Sequence, residues 1–232
     1  HKPLAIAAME AGKNVVCEKP VTLNSADLQE MVDASVRTGK VFTVHQNRRW
    51  DKDFLVVKKI IEEGTLGPIF RIESRVHGAH GIPGDWRQDP KQGGGMVYDW
   101  GIHLLDQAVM LFPEAKITSV YATLNHVTNE QTDDGFFIDL LYDNGIHYIV
   151  EVGTSHFITL PRWMILGQDG TLRMDEWGNV GEFVVIEFLI GTERIVRKQG
   201  TIYFVGTSYV ILYDEYQNNY IMCDIYSVKF VY

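Results

Sequence analysis

The apolar positions of the first fifty residues follow two alternating rhythms. Residues 2–12, KPLAIAAMEAG, repeat at helical spacing, with Leu4, Ala8 and Ala11 on one face and Gly12 as the stop. NVVCE then reads as a short buried strand. Residues 24–40, NSADLQEMVDASVRTGK, form a second helical pattern, with Asn24 or Ser25 as its N-cap and Gly39 past its end. VFTVHQN is the next strand. Short, β-branched, apolar strands alternating with helices predict parallel α/β construction.

After residue 50 the pattern changes. FLVVKKIIEEG predicts an amphipathic helix ending at Gly64, and IFRIESRVHG alternates as a strand. The glycine- and proline-rich loop HGIPGDWRQDPKQGGG then leads into a helix near Met96. From residue 117 strands dominate, and Asn144-Gly145 and Asp169-Gly170 read as hairpin turns between apolar runs. An α/β beginning thus gives way to an antiparallel part, with the boundary near residues 46–50. The last 32 residues, 201–232, hold nine aromatics and four charged side chains, and read as strands with no functional account.

Composition narrows the picture. The 232 residues are 46% hydrophobic and 22% charged, an ordinary globular balance with enough chain for a sizeable core. A net charge of -9 argues against nucleic acid as a partner, because phosphate binding requires a basic face. Cys17 and Cys223 make no disulfide framework, so a cytoplasmic location is expected, with Cys17 a small buried hydrophobe. No apolar run has membrane-spanning length, so no membrane partner is expected. The chain begins without methionine, inside a helical pattern, which suggests a fragment.

Two stretches carry candidate chemistry. In CEKP, a strand ends abruptly on Glu18, Lys19 and Pro20. In GGGMVYDWGIHLLDQ, a helix starting after the glycines places Asp99, His103 and Asp106 on one face. An imidazole flanked by carboxylates is a proton-transfer device, one carboxylate orienting the ring while it moves a proton. The same spacing also suits a simple surface pair worth about 0.2 to 0.5 kcal/mol. Gly101 in mid-helix costs about 1 kcal/mol relative to Ala and leaves room for a backbone or ligand to approach.

AGKNVVCEKP resembles the AGKxVxxEKP segment of the Gfo/Idh/MocA oxidoreductases, and GGGMVYDWGIHLLDQ is similar to their GGGxxxDxGxHxxD segment. HQNRRWDKDF resembles the crossing between the two domains of that family, in its sugar and inositol dehydrogenases. The resemblance implies an α/β fold: residues 1–46 as the C-terminal remnant of a Rossmann nucleotide-binding domain, and residues 47–232 as a substrate and oligomerisation domain with an open, mainly antiparallel sheet. It implies hydride transfer between NAD or NADP and a sugar or polyol, with a homo-oligomer formed through the C-terminal sheet. Lys19, Asp99 and His103 become the expected catalytic residues. Glu18, Lys19, Pro20, Asn47 and Arg48 become cofactor contacts, and Trp86 and Arg87 join Lys19, Asp99 and His103 around the substrate. The resemblance also implies a cis Lys19–Pro20 bond.

The family's glycine-rich phosphate loop is missing from this sequence, so weak cofactor binding by the chain alone is expected. NAD-assisted glycoside hydrolysis and a non-catalytic binding or assembly module remain alternatives. His77 and His80, with Asp99 and His103, form only common spacings, and no metal site is expected.

Overall fold

The computed structural model describes residues 1–158 and 160–175. It further describes the backbone of strands within 183–231 and the side chains of Leu212 and Tyr213. The chain opens with α1 (Lys2–Glu10), β1 (Val15–Cys17), α2 (Ser25–Thr38) and β2 (Phe42–Val44). The two strands pair in parallel, Val15 opposite Phe42. Helix α2 begins where Asn24 accepts a hydrogen bond from the Asp27 backbone at 2.9 Å, a cap worth about 1 kcal/mol, and ends at Gly39.

Two expectations about this region need correction. Helix α1 turns Ala5 and Met9 inward, whereas Leu4 is 80% exposed. Helical spacing is equally regular around several faces, and contact with Cys17 and Met31 selects the Ala5 side. Strand β1 is not buried throughout: Cys17 is buried, but Val16 faces outward.

A turn at residues 47–50 leads to α3 (Lys52–Glu62), followed by β3 (Ile69–His77), α4 (Ile102–Leu111), β4 (Ile117–Asn125), β5 (Gly135–Tyr142), β6 (His147–Gly153), β7 (Trp163–Gly167) and β8 (Thr171–Met174). These strands form one six-stranded sheet in the order β4-β5-β6-β3-β7-β8. Only the β3–β6 pairing is parallel. Alternate residues, among them Ile72, Phe136, Ile138, Tyr148, Val150, Trp163 and Ile165, form a core with Phe54, Val57 and Ile60 of α3 and Leu104, Ala108 and Leu111 of α4. The two helices therefore sit on one sheet face, as period-2 strands require of their apolar side. The hairpin turn at Asn144-Gly145 is present, Gly145 having φ 84°.

Strands β9 (Phe183–Ile190), β10 (Arg194–Val205), β11 (Tyr209–Asp214), β12 (Asn219–Asp224) and β13 (Val228–Val231) form a second, antiparallel sheet in the order β12-β11-β10-β9-β13. Apart from Tyr213, the aromatic side chains of residues 201–232 lie outside the described residues.

An ion pair buried beneath α3 ties it to the sheet. Asp53 accepts from the Trp163 indole at 2.8 Å and lies 3.3 Å from Arg162 Nε, while Arg162 Nη1 donates to Ser74 Oγ at 2.6 Å. Strand β4 lies at the open edge of its sheet and is exposed along its length.

Candidate active site

The end of β1 and the start of α4 meet across the junction of the two parts. The Lys19–Pro20 peptide is cis. Lys19 Nζ donates to Asp99 Oδ1 at 2.8 Å and to the Asp99 carbonyl at 2.9 Å. An ammonium has three donors, and the third has no partner among the described residues. Arg87 holds the other side of the same carboxylate, its Nε donating to Asp99 Oδ2 at 2.6 Å and its Nη1 to Asp85 at 2.7 Å. Burial alone would raise the Asp99 carboxyl, but hydrogen bonds from Arg87 and Lys19 outweigh it and hold it below the usual carboxylate range. Asp99 is thus a buried anion clamped between two cations.

The glycines before Met96 shape the approach. Gly95 has φ 103°, and a Cβ there would strike the Asp133 carboxylate. Asp133 in turn receives Val97 N on Oδ2 at 2.9 Å and Met96 N on its carbonyl at 3.0 Å, and so caps the segment that follows.

That segment is not the plain α-helix expected. Residues Val97–Gly101 form a π-helical turn, and α4 starts only at Ile102. The wider turn changes the phase between Asp99 and His103, which form no hydrogen bond with each other. Asp99 turns to Lys19 and Arg87, and Asp106 to Arg49, with contacts of 2.6 and 2.7 Å. The imidazole is held instead by Gln46 at the end of β2, whose Oε1 lies 2.7 Å from His103 Nδ1. Gly101 leaves no room for a ligand either: a Cβ there would come within 2.9 Å of the Phe136 ring, which occupies the space.

His103 is buried, and its pKa is pushed down to about 4, first by burial and then by the charges of Lys19 and Arg48. The ring is therefore neutral near pH 7, able to accept a proton or a hydrogen bond.

Two adjoining cavities share Arg87, Asp99 and Trp100 as walls. One, of about 230 Å³, is completed by Glu18, Lys19, His45, Asn47, Arg48 and His103. The other, of about 360 Å³, extends past Met96, Pro83 and His77. Glu18 is bonded to His45 at 2.8 Å, and the Arg48 guanidinium stacks 4.7 Å from the Trp100 ring centre. Of the residues singled out in the sequence, Glu18, Lys19, Asn47, Arg48, Arg87, Asp99 and His103 come together here. Pro20 lines a separate hollow with Leu23 and Lys91. Trp86 lines neither of the two cavities, and lies 4.6 Å from the Arg87 guanidinium, packed against it. His45, Gln46 and Asp133 were missed, although VHQN places two of them at a strand's C-terminal edge, where open α/β sheets meet ligands.

Among the described residues, the side chains that cluster at metal-ligand distances are His77, Glu151 and His156, not the His77, His80, Asp99 and His103 set. The His77 and His156 rings stack face to face, 3.9 Å apart and 23° from parallel, so their in-plane lone pairs do not converge on one point. Arg75 also sits 3.0 Å from Glu151 and already offsets its charge.

The cavity has room for a small polar molecule against Lys19, Asp99 and His103, and the ends of β1 and β2 could hold one end of a dinucleotide. The residues present offer that end of a dinucleotide site and no G-x-G-x-x-G turn for its pyrophosphate.

Residues 54–173 match the GFO/IDH/MocA C-terminal domain, and residues 1–46 match the NAD-binding Rossmann fold of the same oxidoreductase family. The chain is 38% identical over 145 residues to uncharacterized oxidoreductase C115.03 of Schizosaccharomyces pombe, covering 61% of this chain and 39% of that protein. It is 31% identical to scyllo-inositol 2-dehydrogenase (NADP(+)) IolW of Bacillus subtilis, covering 92% of this chain and 64% of the relative. An NAD-binding protein from Listeria innocua superposes with a TM-score of 0.76 at 41% identity, over 99% of this chain and 61% of that one. The chain thus spans less than two thirds of the length of each of these relatives.

Proposed function

Because the chain belongs to the GFO/IDH/MocA family of oxidoreductases, we propose that the whole protein moves hydride between NAD or NADP and a hydroxyl-bearing carbon of a sugar or polyol. The observation that carries this reading is the Lys19–Asp99 clamp at 2.8 Å, which joins the end of β1 to the π-helical turn before α4, beside a neutral, buried histidine. The scyllo-inositol dehydrogenase relative supports a polyol as substrate.

A nicotinamide, when bound, would supply or take the hydride. Lys19 directs its remaining N–H to the substrate oxygen and stabilises charge developing there. His103 Nε2 accepts the hydroxyl proton when alcohol is oxidised, and returns it when ketone is reduced. Asp99 fixes the lysine, Arg87 fixes Asp99 and borders the substrate, and Trp100 walls the site. Glu18, Asn47 and Arg48 form the cofactor side. Residues 1–46 are assigned to the nucleotide-binding unit and 47–232 to the substrate and assembly domain, with pairing between copies through the open sheet at β4. No helix among the described residues is long and apolar enough to cross a membrane. Cys17, a free and buried thiol, supports a cytoplasmic location.

The test is turnover of inositols and hexoses by the whole protein, followed by reduced-nicotinamide absorbance, in Lys19→Ala and His103→Ala variants. The expected loss in kcat is about 10²- to 10⁴-fold with little change in NADH affinity. Near-normal turnover in both variants would overturn the site assignment, and glycoside hydrolysis without net NADH would redirect it to transient oxidation.

A further inference from the structure

We propose that Gln46 is a positioning residue that holds His103 as the Nδ1–H tautomer and leaves Nε2 bare toward the cavity. The proposal rests on the dehydrogenase reading only for what Nε2 then does.

Two contacts orient the Gln46 amide. Its Nε2 donates to the Ile102 carbonyl at 3.4 Å, and its Oε1 faces His103 Nδ1 at 2.7 Å. Turning the amide over would set oxygen against oxygen at Ile102, so the neighbouring carbonyl decides the assignment. An amide oxygen only accepts, so the short contact requires the proton on Nδ1. The segment carrying Gln46 is pinned in turn, because Gln107 of α4 donates to the Arg48 carbonyl at 2.8 Å. Gln46 and His103 therefore approach as parts of a docked pair of elements.

An uncharged partner has a consequence that a carboxylate would not. The charged groups around the ring are Lys19 from the end of β1, Arg48 from the turn after β2, and Asp99 and Asp106 from its own helical segment. A carboxylate at position 46 would also select the tautomer, but it would stabilise the imidazolium and make the ring more basic. An amide orients the ring without charging it. A neutral imidazole has a single N–H, and committing it to Gln46 makes Nε2 an acceptor for a hydroxyl proton.

The test is the ring-nitrogen NMR signals of ¹⁵N-histidine-labelled full chain at pH 7, with His103 assigned from the signals lost in His103→Gln. The expected result is a protonated-type Nδ1 and a lone-pair-type Nε2. Gln46→Leu is expected to convert this into a mixture of tautomers. Gln46→Glu is expected to keep the tautomer and raise the ring's proton affinity at least about tenfold, which moves the acidic limb of the kcat/KM profile upward. A proton on Nε2 in the unsubstituted chain, or unchanged ring signals in Gln46→Leu, would overturn the proposal. If Gln46→Leu does not fold by circular dichroism, an unshifted His103 titration in the near-isosteric Gln46→Glu variant overturns it instead. The expected tautomer in a protein that oxidises no polyol would leave this proposal standing and remove the dehydrogenase reading.

Discussion

Burial and neighbouring cations set the protonation of His103, and so tie the stability of the fold to pH. Its folded pKa near 4 lies below the ordinary value of 6.5, so the unfolded chain takes up the proton first as pH falls. The ring's contribution is fully present above pH 6.5 and is lost as pH falls through 4, a total of about 3 kcal/mol. Urea unfolding at a series of pH values should show this slope, and His103→Phe should flatten it. Gly101 offers a second residue-level test. A methyl group there meets the buried Phe136 ring at 2.9 Å, so Gly101→Ala should destabilise the protein by about 1–3 kcal/mol, measured by thermal unfolding. Neither effect follows from sequence spacing. The helical pattern put Asp99, His103 and Asp106 on one face, while the folded chain gives each a different partner: Lys19 and Arg87, Gln46, and Arg49.

Among the elements, α3 and α4 share the inner face of the six-stranded sheet, and their anchoring differs in kind. Helix α4 is held by apolar packing of Leu104, Ala108 and Leu111. Helix α3 adds the buried Asp53–Arg162 pair at 3.3 Å, with Trp163 sharing the carboxylate. Removing the Asp53 carboxylate takes away a buried counter-charge 3.3 Å from the Arg162 guanidinium, so Asp53→Ala should cost about 3–5 kcal/mol by chemical denaturation. Asp53→Asn, which retains an acceptor for the Trp163 indole, should cost less. The extents of these helices were legible beforehand: FLVVKKIIEEG anticipated α3 (Lys52–Glu62) to within two residues at each end. The π-helical turn before α4 was not, because its extra residue depends on how the Asp133 cap and the docked Lys19 arrange the chain.

For the whole molecule, the β4 edge stands out among the described residues for its exposed apolar side chains. Val120, Tyr121, Leu124 and Val127 lie on or just beyond β4, each more than half exposed. If copies pair through this sheet as proposed, Tyr121→Lys combined with Val120→Lys should lower the mass measured by sedimentation, with the secondary structure unchanged by circular dichroism. The sequence alone determined the alternation of helices and strands from α1 to α4, a cap at Asn24 or Ser25 for α2, the hairpin glycine and the presence of the two motifs, because each depends on residues near one another in the chain. Tertiary structure decided which face of α1 is buried, which cations hold Asp99 and which side chain orients His103. The Lys19–Asp99 and Gln46–His103 contacts join groups 80 and 57 residues apart, and local periodicity carries no information about which distant side chain the packed core will bring within hydrogen-bonding reach.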